Sequence, residues 1–408
     1  MMLLSTDLSM CNVESNTSLH NHVCTSLSEL DMEMIAAIPP GGNWKDIPLD
    51  IAMKSNRVMR IKKTGGRTTY YGRLDPQLPS YTINTYFNRP GNGTFIHPIY
   101  NRLISIREAA RLQSFPDDYC FLGSTSSMFK QVGNAVPPIL ARVIGERIPS
   151  GSTVELFAGA GGLSEGLTQA KHRILLAADY NSHMCATYEH NHPETEVIET
   201  DLNKEDAFTE LIESIDNRLN GKTLNLLAGG PPCQGYSTAG HWKSDDPRNS
   251  LVNAMVESVR ILQPEWVLIE NVPGLKWMNA GAALDSITQK LQEYGYSVWI
   301  NLFHAEEYCV PQRRRRLVIV GNRNNDSFSP PQKLASGISF SRANNSLKLH
   351  DESLPFPVSV NEAISDLQHL APSFSSHEIS YQPEWIESNY QLLMRGAISF
   401  KTFVRNRI

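Results

Sequence analysis

Between residues 152 and 321, apolar side chains come in short runs, at 154–157, 174–178, 197–199, 224–228, 266–270, 298–303 and 317–320. Runs of this length, rich in Val, Ile and Leu and closed by polar or turn-forming residues, predict strands. Between them, at 164–170, 182–191, 249–262 and 282–294, apolar residues recur every three or four positions, which gives a helix one apolar stripe. The alternation predicts an α/β fold, a parallel Rossmann-like sheet of seven strands covered by helices on both faces. No internal repeat is visible. The stretch from 322 to about 357, rich in Ser, Asn and Pro, reads as a linker or long loop.

A length of 408 residues predicts two to three domains. The hydrophobic share of 41% excludes a wholly disordered chain. No apolar run approaches the roughly 18 residues of a membrane span, and the first basic residue is Lys45, so neither a membrane segment nor a secretory signal is expected. A soluble, intracellular protein is the expectation. The cysteines Cys11, Cys24, Cys120, Cys185, Cys233 and Cys309 form no CxxC pair, which suits neither a disulfide framework nor a zinc site.

The net charge of −5 points to no partner, but its distribution does. Residues 1 to 44 carry acids and no Lys or Arg. The block from 54 to 102 then holds Lys54, Arg57, Arg60, Lys62, Lys63, Arg67, Arg73, Arg89 and Arg102 against the single acid Asp75, interleaved with Tyr70, Tyr71, Tyr81, Tyr86 and Phe87. Arg395, Lys401, Arg405 and Arg407 repeat the bias near the other end. Such blocks track phosphates or simply solvate a face.

Candidate chemistry sits at the ends of the expected strands. Phe157-Ala158-Gly159-Ala160-Gly161-Gly162 is a strand end, a glycine turn and a helix start, with Ser164 where the dinucleotide fingerprint wants Gly. Asp179, 20 residues after Gly159 and at the end of the next strand, can accept hydrogen bonds from ribose hydroxyls, and Asp201 after the third strand from an adenine amine. A plain tight turn is the alternative, but the two acids favour an adenosine-containing cofactor. Pro231-Pro232-Cys233 puts a thiol on a proline-stiffened loop, better suited to exposure than to packing, whereas Cys185 and Cys309 read as small buried hydrophobes. Glu270, ending the fifth strand, would become an acid or neutral donor if its site were apolar, and a structural cap or an ion pair is the alternative. In Gln312-Arg313-Arg314-Arg315-Arg316, the two-residue strand period can aim alternate guanidinium groups at one cleft, or the run is surface charge.

These residues resemble the DNA cytosine-5 methyltransferases: Phe157-Ala158-Gly159 with Gly161-Gly162 the first motif, Pro231-Pro232-Cys233-Gln234 the nucleophile motif, Glu270-Asn271-Val272 the carboxylate motif, and Gln312 with Arg314 and Arg316 the QxRxR motif. The last two family motifs, at 107–116 and 131–138, precede all of these instead of following them. That order implies a circular permutation, with the family's original ends joined near Gly151 and the chain opened inside the target-recognition region. Ile408 and residues near Leu19 are then expected side by side.

The resemblance implies S-adenosylmethionine as cofactor, held by Phe157, Gly159, Gly161, Gly162, Asp179, Tyr180, Asp201, Leu251 and Asn134, with residues 133–136 closing over the site. It implies Cys233 as nucleophile at carbon 6 of a flipped-out cytosine, Glu270 at ring nitrogen 3, Arg314 at the exocyclic oxygen and Arg316 as a buttress. Residues 236–248 are the expected lid. Gln234, Ser237, Arg67 and Arg73 are expected to touch DNA, and binding to weaken with salt. Residues 1–100 and 323–408 would form the target-recognition domain, 101–150 would carry the last two motifs and pack on the catalytic domain, and 151–322 would be that S-adenosylmethionine-binding domain. Double-stranded DNA is the expected partner of a cytoplasmic, nucleoid-associated bacterial monomer in a restriction-modification system, its endonuclease not stably bound. The alternatives are a tRNA cytosine-5 methyltransferase and a catalytically silent DNA-binding module.

Overall fold

A computed structural model of the chain describes residues 18–232, 249–341, 346–372 and 378–407. These fall into two compact units, residues 121–333 and the chain's two ends, up to 120 and from 334. The expected boundaries at 100, 150 and 322 do not coincide with these limits; residues 101–120 belong to the unit of the two ends.

In the central unit all seven apolar runs are strands of one sheet: β1 Ser152–Leu156, β2 Arg173–Asp179, β3 Glu196–Glu199, β4 Leu226–Gly229, β5 Trp266–Asn271, β6 Ser297–His304 and β7 Arg315–Asn322. Their order is β3-β2-β1-β4-β5-β7-β6. The helices are α1 Thr125–Asn134, α2 Pro138–Gly145, α3 Gly162–Gln169, α4 Ser182–Asn191, α5 Glu205–Leu219, α6 Asn249–Leu262 and α7 Ala282–Glu293. One expectation is corrected: the sheet is mixed, because β7 runs antiparallel to both β5 and β6. A parallel return needs a crossover of a dozen or more residues, usually a helix. The link from β6 to β7 is shorter and holds only the 3-10 turn Ala305–Tyr308.

Strands buried on both faces need apolar residues at successive positions. On one face Val154, Leu156, Leu176, Leu227, Val267, Ile269, Leu317 and Ile319 pack against Leu211 and Ile215 of α5, Val252, Met255 and Val259 of α6, and Ile287 and Leu291 of α7. The helical residues keep three- and four-residue spacing, so each helix buries one stripe. On the other face Ala158 and Ala177 cluster with Tyr188 of α4. There α2 lies directly on α3: a Cβ on Gly166 would sit 2.3 Å from the Pro138 carbonyl and 2.4 Å from Ala141 Cβ.

In the other unit the two ends of the chain fold together. Strand Ser18–His20 pairs antiparallel with Glu378–Ser380. Arg111, fully buried in the helix Ile106–Leu112, forks between Asp117 at 2.7 Å and Asp366 at 2.5 Å, and Tyr381 donates to Asp366 at 2.7 Å. Leu19 lies opposite Ile379, while Ile408 is outside the described residues. The stretch expected to be a linker is corrected too, since it contains two paired antiparallel strands, Ile338–Ser341 and Ser346–Leu349. No helix among the described residues is long and apolar enough to cross a membrane.

Candidate active site

The order β3-β2-β1-β4-β5 reverses direction between β1 and β4, and ligands of open α/β sheets bind outside the carboxyl ends of strands at such a point. The glycine turn leaves β1 there. Phe157, Gly159 and Gly161 have φ of 57°, 54° and 86°, all in the left-handed region. Glycine takes that region at little cost, whereas Phe157 holds it against a steric penalty. A Cβ added to Gly159 would meet only Met184 Sδ, at 3.7 Å, so the space over the turn is open.

Asp179 closes the side of this turn. Its Oδ2 accepts from the Gly159 N–H at 2.9 Å and its Oδ1 from the Asn181 N–H at 3.0 Å, and burial raises its pKa. Each carboxylate oxygen can still accept from a ribose hydroxyl. Tyr180 follows, 69% exposed. Asp201, at the end of β3, accepts from the backbone and side chain of Asn203, which lowers its pKa. Gly162 opens α3 on the capping Gly161, and Leu251 packs against the main core from the first turn of α6. The open cradle and paired acids therefore suit an adenosine-bearing ligand with two ribose hydroxyls.

Glu270, next to last in β5, lies opposite Val318, so Arg316, two residues along β7, shares its face. Arg316 Nε makes an ion pair with Glu270 Oε1, and a Cβ on Gly230 would sit 3.2 Å from Glu270 Oε2. Arg314, 1% exposed, donates through Nη2 to the Gly133 and Ala135 carbonyls, both at 2.9 Å. Burial and then the neighbouring Arg316 charge lower its pKa well below the usual arginine value. The expected allocation is thus reversed in geometry, because Arg316 lies at the carboxylate and Arg314 holds the turn 133–135. Asn134 is exposed on that turn. From the same segment, Gln131 binds the Leu122 carbonyl at 2.8 Å and Thr187 of α4 at 2.8 Å.

Cys233, Gln234, Ser237 and the expected lid 236–248 lie outside the described residues. Cys185 and Cys309 are buried, and burial pushes the Cys185 thiol up to about 12.

The DNA-reading role expected of Arg73 is corrected. Arg73 is 3% exposed and its guanidinium donates to the carbonyls of Ile35, Ile38, His97 and Tyr100 and to Asn101 Oδ1, at 2.6–2.9 Å. A guanidinium so committed cannot reach a base edge. Arg102 is likewise paired with Glu108 at 2.7 Å, Arg395 with Asp117 and Arg407 with Glu362, whereas Arg60, Lys63, Arg67 and Arg89 are exposed. One supporting group escaped sequence reasoning. Glu155, inside β1, receives the Ser164 hydroxyl, and the signal for it is an acid between Val154 and Leu156 in a short apolar run.

The family described as C-5 cytosine-specific DNA methylase matches residues 7–150 and 151–405. Among curated proteins, Type II methyltransferase M.AgeI of Thalassovita gelatinovora is 36% identical over 258 residues, covering 60% of this chain and 57% of that protein. Type II methyltransferase M1.HphI of Haemophilus parahaemolyticus is 34% identical, covering 44% of this chain and 48% of that protein. The chain thus spans about half the length of the curated relatives it matches. Among solved structures, the S. pombe Dnmt2 methyltransferase has a TM-score of 0.36 at 22% identity, over 44% of this chain and 52% of that one. With the family matched along nearly its whole length, the chain belongs to the C-5 cytosine-specific DNA methylases.

Proposed function

We propose that the protein transfers a methyl group to carbon 5 of cytosine in double-stranded DNA. The observation that carries this reading is the pairing of Glu270 with Arg316 beside Gly230, one residue before the Pro231-Pro232-Cys233 motif, in a chain of this family. S-adenosylmethionine, when bound over the glycine turn, supplies an electrophilic methyl. Phe157, Gly159, Gly161, Gly162, Asp179, Tyr180, Asp201, Leu251 and Asn134 hold it.

Carbon 5 of cytosine is a weak nucleophile until the ring is made electron-rich. Cys233 does this as a thiolate by bonding to carbon 6, which leaves an enamine whose carbon 5 takes the methyl; loss of the carbon 5 proton to a base then expels the Cys233 thiolate and restores the ring. Glu270 holds or protonates ring nitrogen 3, and Arg316 faces the exocyclic oxygen, so both stabilise charge that builds up during attack. Arg314 acts one step removed, by fixing residues 133–135. A stacked base hides carbon 6, so the target is turned out of the helix, with Gln234 and Ser237 at the opened strand and 236–248 as the lid. Exposed Arg67 contributes phosphate contacts. The protein works as a monomer on DNA in the bacterial cytoplasm, as the modification enzyme of a restriction-modification system whose nuclease is not stably bound.

The motif order is that of a circular permutation, supported by the family match in two segments that meet at 150/151 and by the folding of both chain ends into one unit. Residues 151–322 carry the catalytic sheet, and 1–100 with 323–408 carry target recognition.

The test is transfer of labelled methyl from S-adenosylmethionine to unmethylated mixed-sequence duplex DNA and to tRNA. Label in DNA, confined by bisulfite sequencing to cytosines of one short sequence, is expected. Label in tRNA alone would replace this reading with the RNA enzyme.

A further inference from the structure

Beneath the glycine turn lies a buried chain of polar groups. Tyr188 of α4 donates to Ser164 Oγ at 2.5 Å, and Ser164, in the first turn of α3, donates to Glu155 Oε2. Tyr188 also bonds Thr195, just before β3. Four residues on, the ring of His192, which caps α4, lies tilted against Tyr188 with centroids 4.7 Å apart and bonds the Gly161 backbone, where the turn becomes the helix. Glu155, Ser164 and Tyr188 are all fully buried or nearly so. The chain therefore ties β1, α3 and α4 together and reaches the glycine turn at Gly161.

The charge acting on Glu155 is the like-signed Asp179 on β2. Tyr188 on α4 faces Glu155, and Tyr188 is flanked in turn by Glu165 on α3 and by His192, the residue that caps α4. Its partners across the sheet, Ala177 and Ala228, are apolar. A carboxyl in such surroundings keeps its proton, and burial followed by Asp179 pushes it up to about 8. His192, buried, is lowered to about 4, so it stays neutral beside Tyr188.

We propose that Glu155 is a positioning residue for the cofactor, acting in its neutral form: through Ser164 it fixes the first turn of α3 and hence the backbone on which the ligand lies. Ionisation would set a second negative charge behind Asp179 in a dry site, relieved only by drawing in water and displacing Ser164. Ligand affinity is then full below pH 7 and falls as the pH rises through 8. The inference rests on the proposed S-adenosylmethionine site.

The experiment is calorimetric titration of the full chain with S-adenosylhomocysteine, which shares the adenosine and amino-acid ends without the sulfonium charge, from pH 6.5 to 9.5. Wild type, Glu155→Gln and Tyr188→Phe are compared, with folding checked by circular dichroism at each pH. The ligand's amino group also titrates at alkaline pH, so the readout is the ratio of wild-type to Glu155→Gln dissociation constants at each pH. A ratio near one at pH 6.5 that grows about tenfold per unit above 8 is expected, with Tyr188→Phe weakening binding at every pH. A flat ratio with binding intact would overturn the positioning role alone. No binding by folded wild type at any pH would overturn the cofactor site, and this inference with it.

Discussion

Glu270 and Arg316 meet because β5 and β7 are antiparallel neighbours in a register that sets Glu270 opposite Val318. Composition says nothing about which of four consecutive arginines faces a carboxylate. The strand period shows that alternate ones share a face, and Arg314 and Arg316 are buried while Arg315 is exposed. Their separate tasks became visible only with the partners, Glu270 for one and the Gly133 and Ala135 carbonyls for the other. Arg316→Ala should therefore lower kcat about 100- to 1,000-fold, the cost of losing a donor aimed at developing charge. Binding of S-adenosylhomocysteine should stay within about threefold. Arg314→Ala should instead lower stability by about 1–3 kcal/mol, read as a urea midpoint, because two buried carbonyls lose their donor. Arg73 was misread for a related reason, since sequence gives the charge of a side chain and not whether carbonyls enclose it. A second residue-scale prediction concerns acid. Burial lowers the pKa of His22 and His97 to about 4, so both must charge on unfolding. Stability should fall as pH drops from about 6.5 through 4, by about 1.4 kcal/mol per unit for each histidine. Thermal melts across that range check it, and His97→Asn should flatten the curve.

At the scale of elements, the seven strands were legible because the inner strands of the sheet are buried on both faces and every strand carries a run of apolar residues. The direction of β7 was not, since an apolar run has no arrow; only the short link after β6 implies the reversal. The pair of short strands in 338–349 was hidden by Ser and Asn, whose turn-like composition does not forbid edge pairing. The packing of α2 on α3 was also out of reach, because it depends on a glycine whose missing Cβ matters only once a second helix lies there. Alanine at an exposed helix position would gain up to about 1 kcal/mol over glycine. At Gly166 the new Cβ would meet the Pro138 carbonyl and Ala141, so overpacking of about 1–3 kcal/mol should dominate. Gly166→Ala should therefore lower the urea midpoint.

For the whole molecule, the motif order and the joining of both chain ends in one unit describe the same arrangement. Strand Ser18–His20 pairs with Glu378–Ser380, Arg395 donates to the Ser18 carbonyl at 3.3 Å, and the family matches as two segments that meet at 150/151. A rearranged chain, opened at 150/151 with residue 407 joined to residue 18 by a flexible linker of about 15 residues, should fold with the same circular dichroism spectrum. Its methyl-transfer rate should stay within about tenfold of the parent. The central claim is covalent catalysis on cytosine by Cys233, and duplex DNA carrying 5-fluorocytosine tests it most directly, because release of Cys233 needs loss of a proton from carbon 5, fluorine cannot leave as the corresponding cation, and the adduct is trapped. With S-adenosylmethionine present, the protein should form a DNA complex that survives denaturation and maps by mass spectrometry to Cys233, and Cys233→Ala should form none. No stable complex with the folded protein, or one attached at another residue, would contradict the account.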